Sequence, residues 1–149
     1  MIRILENLEP IKIERNSYLI EELDEFNMVI FFDEGKYKIG YSLNRNEEYK
    51  LFYNGVNVIG AYAVTFNKRA LFIYKTVSQC SGYFIRKSNW KNIFSDSDYS
   101  AITEKLKMKL KKQYIKFVKF PLMEAKKKDA KKIAGRADFD MLLSLQAIK

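Results

Sequence analysis

GVNVIGAYAVTFNKRA, residues 55–70, has the makings of an anion pocket. Gly55 and Gly60 permit positive φ or a close approach of backbone to a ligand. Ala61 and Ala63 leave room beside them, and Arg69 carries a fork of donors suited to a phosphate. Taken alone, a glycine-containing turn with a nearby arginine is most often a surface loop with a solvated cation. Its meaning here comes from the order of the elements on either side.

Upstream, residues 2–8 place Ile2, Leu5 and Leu8 at helical spacing before Pro10, which predicts a short amphipathic helix. Short β-rich runs follow at 11–13, 18–20, 28–32, 37–43, 49–53, 71–77 and 83–85, separated by polar or glycine turns. Seven or eight strands at this spacing predict a sandwich or barrel. Asp33-Glu34-Gly35 between two aromatic-rich runs reads as a hairpin turn.

Beyond residue 85 the apolar period changes from two to nearly four. Ser88 reads as the N-cap of a short helix over 89–94, which the polar residues 95–98 end. A longer helix then carries Tyr99, Ile102, Leu106, Leu110, Tyr114 and Phe117 in one stripe. Lys105, Lys107, Lys109, Lys112, Lys116 and Lys119 fall mostly away from that stripe, giving one packing face and one basic face. Pro121 is expected to kink or end this helix near Phe120, and a second Lys-rich segment over 122–134 is expected to close at Gly135. Phe139, Met141, Leu142, Leu143, Leu145 and Ile148 make an apolar tail that needs a cover: the roll itself, its pocket mouth or a neighbouring subunit.

The 149 residues suffice for one core, so we read one domain over 1–120 and a Lys-rich extension with its tail over 121–149. The formal charge of +9 points to an acidic partner, and because acids and bases nearly balance through Glu104, the excess lies in the C-terminal third. That basic face suits an acidic protein or membrane surface, although a lysine-rich face is usually a solvated one; no groove-reading motif for nucleic acid accompanies it. Cys80 is the single cysteine and suits a reducing compartment. No apolar run reaches membrane-spanning length and no signal-peptide pattern opens the chain, which predicts a soluble cytoplasmic location. Histidine is absent, which removes histidine-based triads and most metal sites. Glu21, Glu22, Asp24 and Glu25 lack the spacing of a calcium loop and read as a charged turn. The strand tyrosines and phenylalanines offer a stacking platform for bases, but core packing is the commoner use of such residues. No nucleophile–base pair emerges, so catalysis is not expected.

In this order the pieces resemble the cyclic nucleotide-binding domain family, over residues 5–120. The family's Tyr-Ile-x-x-Glu-Gly-Asp run is similar to residues 18–24, with Leu23 in place of the motif glycine, and leads to Gly35. The phosphate-binding cassette is similar to Gly55, Ile59-Gly60 and Arg69-Ala70. The strand at 80–85, the helix at 88–94 and the long helix from Tyr99 correspond to the last strand, the second helix and the lid helix. The resemblance implies an eight-stranded β-roll, of double-stranded β-helix or jelly-roll type, with a short N-terminal helix and C-terminal helices. It assigns Gly60, Ala61, Tyr62, Arg69 and Ala70 to the ligand, which would be cyclic AMP or cyclic GMP; it implies no other cofactor.

One departure bears directly on function. The family's cassette glutamate, which accepts from the ribose hydroxyl, is missing: read by motif its place is Ala61, read by distance from Arg69 it is Gly60, and no carboxylate occurs between Asn54 and Arg69. Losing that acceptor costs about 1 to 3 kcal/mol, so weak or absent nucleotide binding is expected. The family places such domains on cation channels, kinases, exchange factors and transcription factors. Residues 69–74 and the Lys- and Asn-rich style resemble the cytoplasmic domains of ciliate voltage- or nucleotide-gated potassium channels, where degenerate pockets act in gating and assembly with other channel subunits. The alternative is a structural or adaptor protein that uses the roll and basic helix as an interaction surface.

Overall fold

Alternation in the strand-rich middle produces two antiparallel sheets that share one core. The computed structural model describes residues 2–95 and 100–148. In chain order these form α1 (Ile2–Glu6), β1 (Glu9–Ile13), β2 (Tyr18–Ile20), β3 (Met28–Glu34), β4 (Lys36–Leu43), β5 (Asn46–Asn54), β6 (Asn57–Ile59), α2 (Ala61–Phe66), β7 (Ile73–Thr76), β8 (Cys80–Arg86), α3 (Lys87–Phe94), α4 (Ser100–Tyr114), a π-helical turn (Ile115–Lys119) and α5 (Phe120–Ile148). One sheet has the order β1-β8-β3-β6 and the other β2-β7-β4-β5. Val29 and Phe32 from the first sheet, Ile39 and Phe72 from the second side and Leu122 from α5 belong to a single buried cluster. The predicted eight-stranded roll with flanking helices is what forms; β6 is the strand missing from the sequence reading.

Asp33-Glu34-Gly35 is not a hairpin. It is a corner that carries the chain from β3 in one sheet to β4 in the other. Gly35 takes φ 115° there, with the backbone of Cys80 too close to admit a side chain. The true two-residue hairpin joins β4 to β5: Leu43 pairs with Asn46, and Asn44 and Arg45 between them take φ 53° and 65°. Two successive positive φ values give the twist a tight hairpin requires.

β4 buries Ile39, Gly40 and Tyr41 in succession, which a strand does only when both faces are covered. The opposite sheet covers one face and α5 the other, with Leu122 fully buried. Tyr41 donates a hydrogen bond from its hydroxyl to Asp129 of α5, and Lys50 of β5 pairs with the same carboxylate at 3.1 Å.

Three helix boundaries differ from the sequence reading. α3 starts at Lys87 directly from β8, its extended N-cap residue Arg86 pinned by Glu9 at 2.8 Å, so Ser88 lies inside the helix and caps nothing. The helical run does not stop at Pro121, so the expected boundary between 120 and 121 falls within it. The proline removes the N–H that would bond the Phe117 carbonyl and crowds that carbonyl; the π turn just before it relaxes the clash, and the Tyr53 hydroxyl donates to the freed oxygen at 3.5 Å. Gly135 does not close α5, which continues through the tail to Ile148. Met141, Leu142, Leu143 and Leu145 remain about half exposed, and among the described residues none of the tail lines the cavity. The side chains of Phe139 and Ile148, and Tyr99 of the expected stripe, lie outside what is described.

Candidate functional site

The chain reaches the cassette by a turn that only glycine enters easily. Gly60 sits at φ 86° between β6 and α2, and a side chain there would meet the Phe26 ring. α2 is a single short helix whose Ala61, Ala63 and Val64 are buried. It ends at Asn67 in the left-handed conformation, and the Trp90 indole of α3 donates to the Thr65 hydroxyl at 2.9 Å. α2 is thereby fixed against α3, and its first residues face a cavity of about 560 Å³.

The inner wall of this cavity comes from the second sheet: Tyr37 and Ile39 of β4, Tyr53 of β5 and Tyr74 of β7. Val58 and Ile59 of β6 and residues 60–63 form one side. Across from them, Leu106, Leu110, Gln113 and Tyr114 of α4 close it, with Phe117 and Val118 of the π turn at the rim. The expected stripe is therefore partly in place. Leu106, Leu110, Tyr114 and Phe117 face the cavity, but Ile102 is two-thirds exposed and Thr103 is the residue buried at the start of α4.

The electrostatics follow from that lining. Among the described residues, none of those around the cavity carries a formal charge. Burial holds the hydroxyls of Tyr37 and Tyr74 protonated well beyond the usual tyrosine range, and pushes Tyr114 up to about 12. The walls are aromatic and paired: Tyr37 stacks on Tyr53 with ring centroids 5.2 Å apart, and Tyr62 of α2 stacks on Tyr114 of α4 at 4.1 Å.

Of the five ligand residues assigned from the sequence, the structure brings Gly60, Ala61 and Tyr62 into the wall and leaves Arg69 and Ala70 outside. The segment 69–70 bonds back to residues 23–25. The Ala70 amide donates to the Asp24 carbonyl at 2.9 Å, and the Leu23 amide donates to Ala70 at 2.7 Å. Arg69 donates to the Leu23 carbonyl at 3.1 Å, lies 3.6 Å from the Glu25 carboxylate and is two-thirds exposed. The acidic turn thus serves as the arginine's partner. Tyr114, Tyr53 and Trp90 belong to the site, although the sequence marks Tyr53 and Tyr114 as packing residues and Trp90 only as part of a short helix; helical spacing from Tyr114 to Leu110 and Leu106 was the available signal. Among the described residues no cluster of acidic or cysteine side chains could hold a metal.

Two facing four-stranded sheets, with a glycine-initiated short helix beside the cavity and α4 across from it, decide the architecture. The chain has the β-roll fold of cyclic nucleotide-binding domains. Solved structures agree with the β-roll. The regulatory domain of Toxoplasma gondii PKA, solved with cAMP, is similar over 76% of this chain and 40% of its own, at 18% identity and a TM-score of 0.55. The c-di-GMP responsive global regulator CLP of Xanthomonas campestris matches over 76% of this chain and 57% of its own, at 13% identity and a TM-score of 0.59. The sensor domain of the transcriptional regulator DNR from Pseudomonas aeruginosa matches over 78% and 80%, at 14% identity and a TM-score of 0.56. No protein-family model matches the sequence, and no curated protein matches it. At these identities the likeness extends to the β-roll alone.

Proposed function

We propose that this β-roll is a non-catalytic regulatory module of the cyclic nucleotide-binding type whose pocket is degenerate, so that cyclic nucleotide binds weakly or not at all. The observation that carries this reading is the position of Arg69, held by Leu23 and Glu25 outside an uncharged cavity. A cyclic phosphate placed inside would lose water without gaining a cation, and an unpaired buried charge costs several kcal/mol. The six-residue α2 offers its first amides but too short a run for a strong dipole. The ribose would find no carboxylate at Ala61.

The sequence resemblance to potassium-channel domains supports a place on the cytosolic side of a cation channel, acting on gating or assembly beside other subunits. No helix among the described residues is long and apolar enough to cross a membrane, so such a role places the spanning segments elsewhere in the assembly. The alternative, an adaptor that uses its surface only, is favoured by the uncovered α5 face and the exposed lysines of α4.

Substitution Ala61→Glu tests the reading. It restores the acceptor in the cavity wall and should raise any affinity for cyclic AMP about tenfold, as one recovered hydrogen bond does. No binding even after this change would favour the adaptor.

A further inference from the structure

The cavity retains the shape of a ligand site although it lacks the charge for a phosphate. Its volume of about 560 Å³ lies within the span of small-molecule sites, roughly 300 to 1,000 Å³. Tyr37, Tyr53, Tyr62, Tyr74, Trp90 and Tyr114 present rings to it, and Asn57 and Gln113 supply neutral amide groups at its edge. The Tyr62 and Tyr114 rings are in stacked contact at 4.1 Å, so the space for a ligand lies beside this pair and not between its rings. Leaving out Arg69 removes the feature that would favour an anion and keeps every feature that favours a flat apolar molecule.

We propose that the cavity binds an uncharged, planar aromatic or heteroaromatic small molecule. This rests on the reading of the pocket as degenerate towards cyclic phosphates. A ring entering between the walls exchanges water for aromatic faces, which is favourable for any flat π system, and the amides of Asn57 and Gln113 accept or donate to a neutral hydroxyl or ring nitrogen without demanding charge. An anionic group on the same ring system would be stripped of water with no counter-charge.

The matched pair of 1-naphthol and 1-naphthyl phosphate separates ring from charge. Calorimetry of the whole chain should give binding of the naphthol at least about tenfold tighter than of the phosphate. Val56 is 83% exposed at the cavity edge, so Val56→Lys adds a cation without disturbing the core; it should strengthen the phosphate at least about threefold and leave the naphthol unchanged. Tyr62→Ala should weaken the naphthol about fivefold, with thermal melting confirming that the chain remains folded. Equal or tighter binding of the phosphate by the unmodified chain, or no binding of the naphthol, would overturn the proposal. A parallel titration with cyclic AMP keeps the two readings apart. Tight binding of cyclic AMP sinks the degenerate pocket itself, whereas silence from both cyclic AMP and naphthol overturns only the neutral ligand.

Discussion

Tyr62 of α2 and Tyr114 of α4 lie face to face, their ring centroids 4.1 Å apart and their planes within 7° of parallel. This stack joins α2 to α4 beside the cavity that both helices line. Aromatic pairs contribute about 0.5 to 1.5 kcal/mol beyond their buried area. Tyr114→Ala should therefore lower the melting temperature modestly and speed amide exchange along α4 ahead of the rest of the roll. Unchanged exchange in α4 would mean that the stack does not hold that helix in place.

The buried tyrosines also set an alkaline limit. Burial raises Tyr37, Tyr53, Tyr74 and Tyr114 above the usual value of 10, with Tyr114 at about 12. Below pH 10 these hydroxyls are protonated whether the chain is folded or not, and folding is unaffected. Between about 10 and 12 the unfolded chain loses protons that the folded chain keeps, so stability must fall as pH rises. Phenolate absorbance should appear together with unfolding for these residues. Their complete titration in a chain that remains folded would contradict their burial.

α5 is fastened to the roll by a core residue and a carboxylate. Leu122 is fully buried, and Leu122→Ala should cost about 2 to 5 kcal/mol. Asp129 accepts from the Tyr41 hydroxyl, which together with Lys50 holds its carboxyl below the usual 3.8. A depressed carboxylate contributes stability that is present above pH 3.8 and is lost as pH falls through its folded value. Asp129→Asn should accelerate amide exchange over residues 120–132 at neutral pH and abolish the acid-dependent loosening of that segment. An unaltered pH profile of exchange would rule the carboxylate out.

Much of this arrangement was legible in the sequence. The β-branched and aromatic runs located seven strands, because a half-buried strand needs such residues in alternation; β6 escaped because Asn57-Val58-Ile59 is too short to show a period. Turn chemistry at Gly35 marked the break between β3 and β4, but read as a hairpin it misplaced β4, because a turn does not say which sheet the next strand joins, and that is settled by pairing with β7. Arg69 was read towards a phosphate because only its side-chain type is local; its partners Leu23 and Glu25 lie more than forty residues away. Pro121 signalled a helix end, and the sequence contains no mark of the Tyr53 hydroxyl that helps the run continue.

Arg69 provides a separate check on the site. Its guanidinium pairs with an exposed Glu25, an arrangement that contributes little to stability in water. Arg69→Ala should leave both the melting temperature and the response to any pocket ligand essentially unchanged. A tenfold loss of ligand affinity in that variant would bring the arginine back into the pocket.

The lysines of α4 predict attraction to an acidic surface. Lys105, Lys109, Lys111 and Lys112 are exposed, and screening should weaken such contacts as salt rises. Binding to vesicles containing anionic lipid, or to an acidic channel segment, should fall with ionic strength and with charge reversal at Lys107, Lys109, Lys111 and Lys112. Salt-independent binding would assign the contact to the apolar residues of α5 instead.

Calorimetric titration of the unmodified chain with cyclic AMP and cyclic GMP reads out the degenerate pocket itself. An uncharged cavity with Arg69 turned away should give no saturable heat below the millimolar range with either nucleotide. Saturable binding at micromolar concentration or tighter would contradict it.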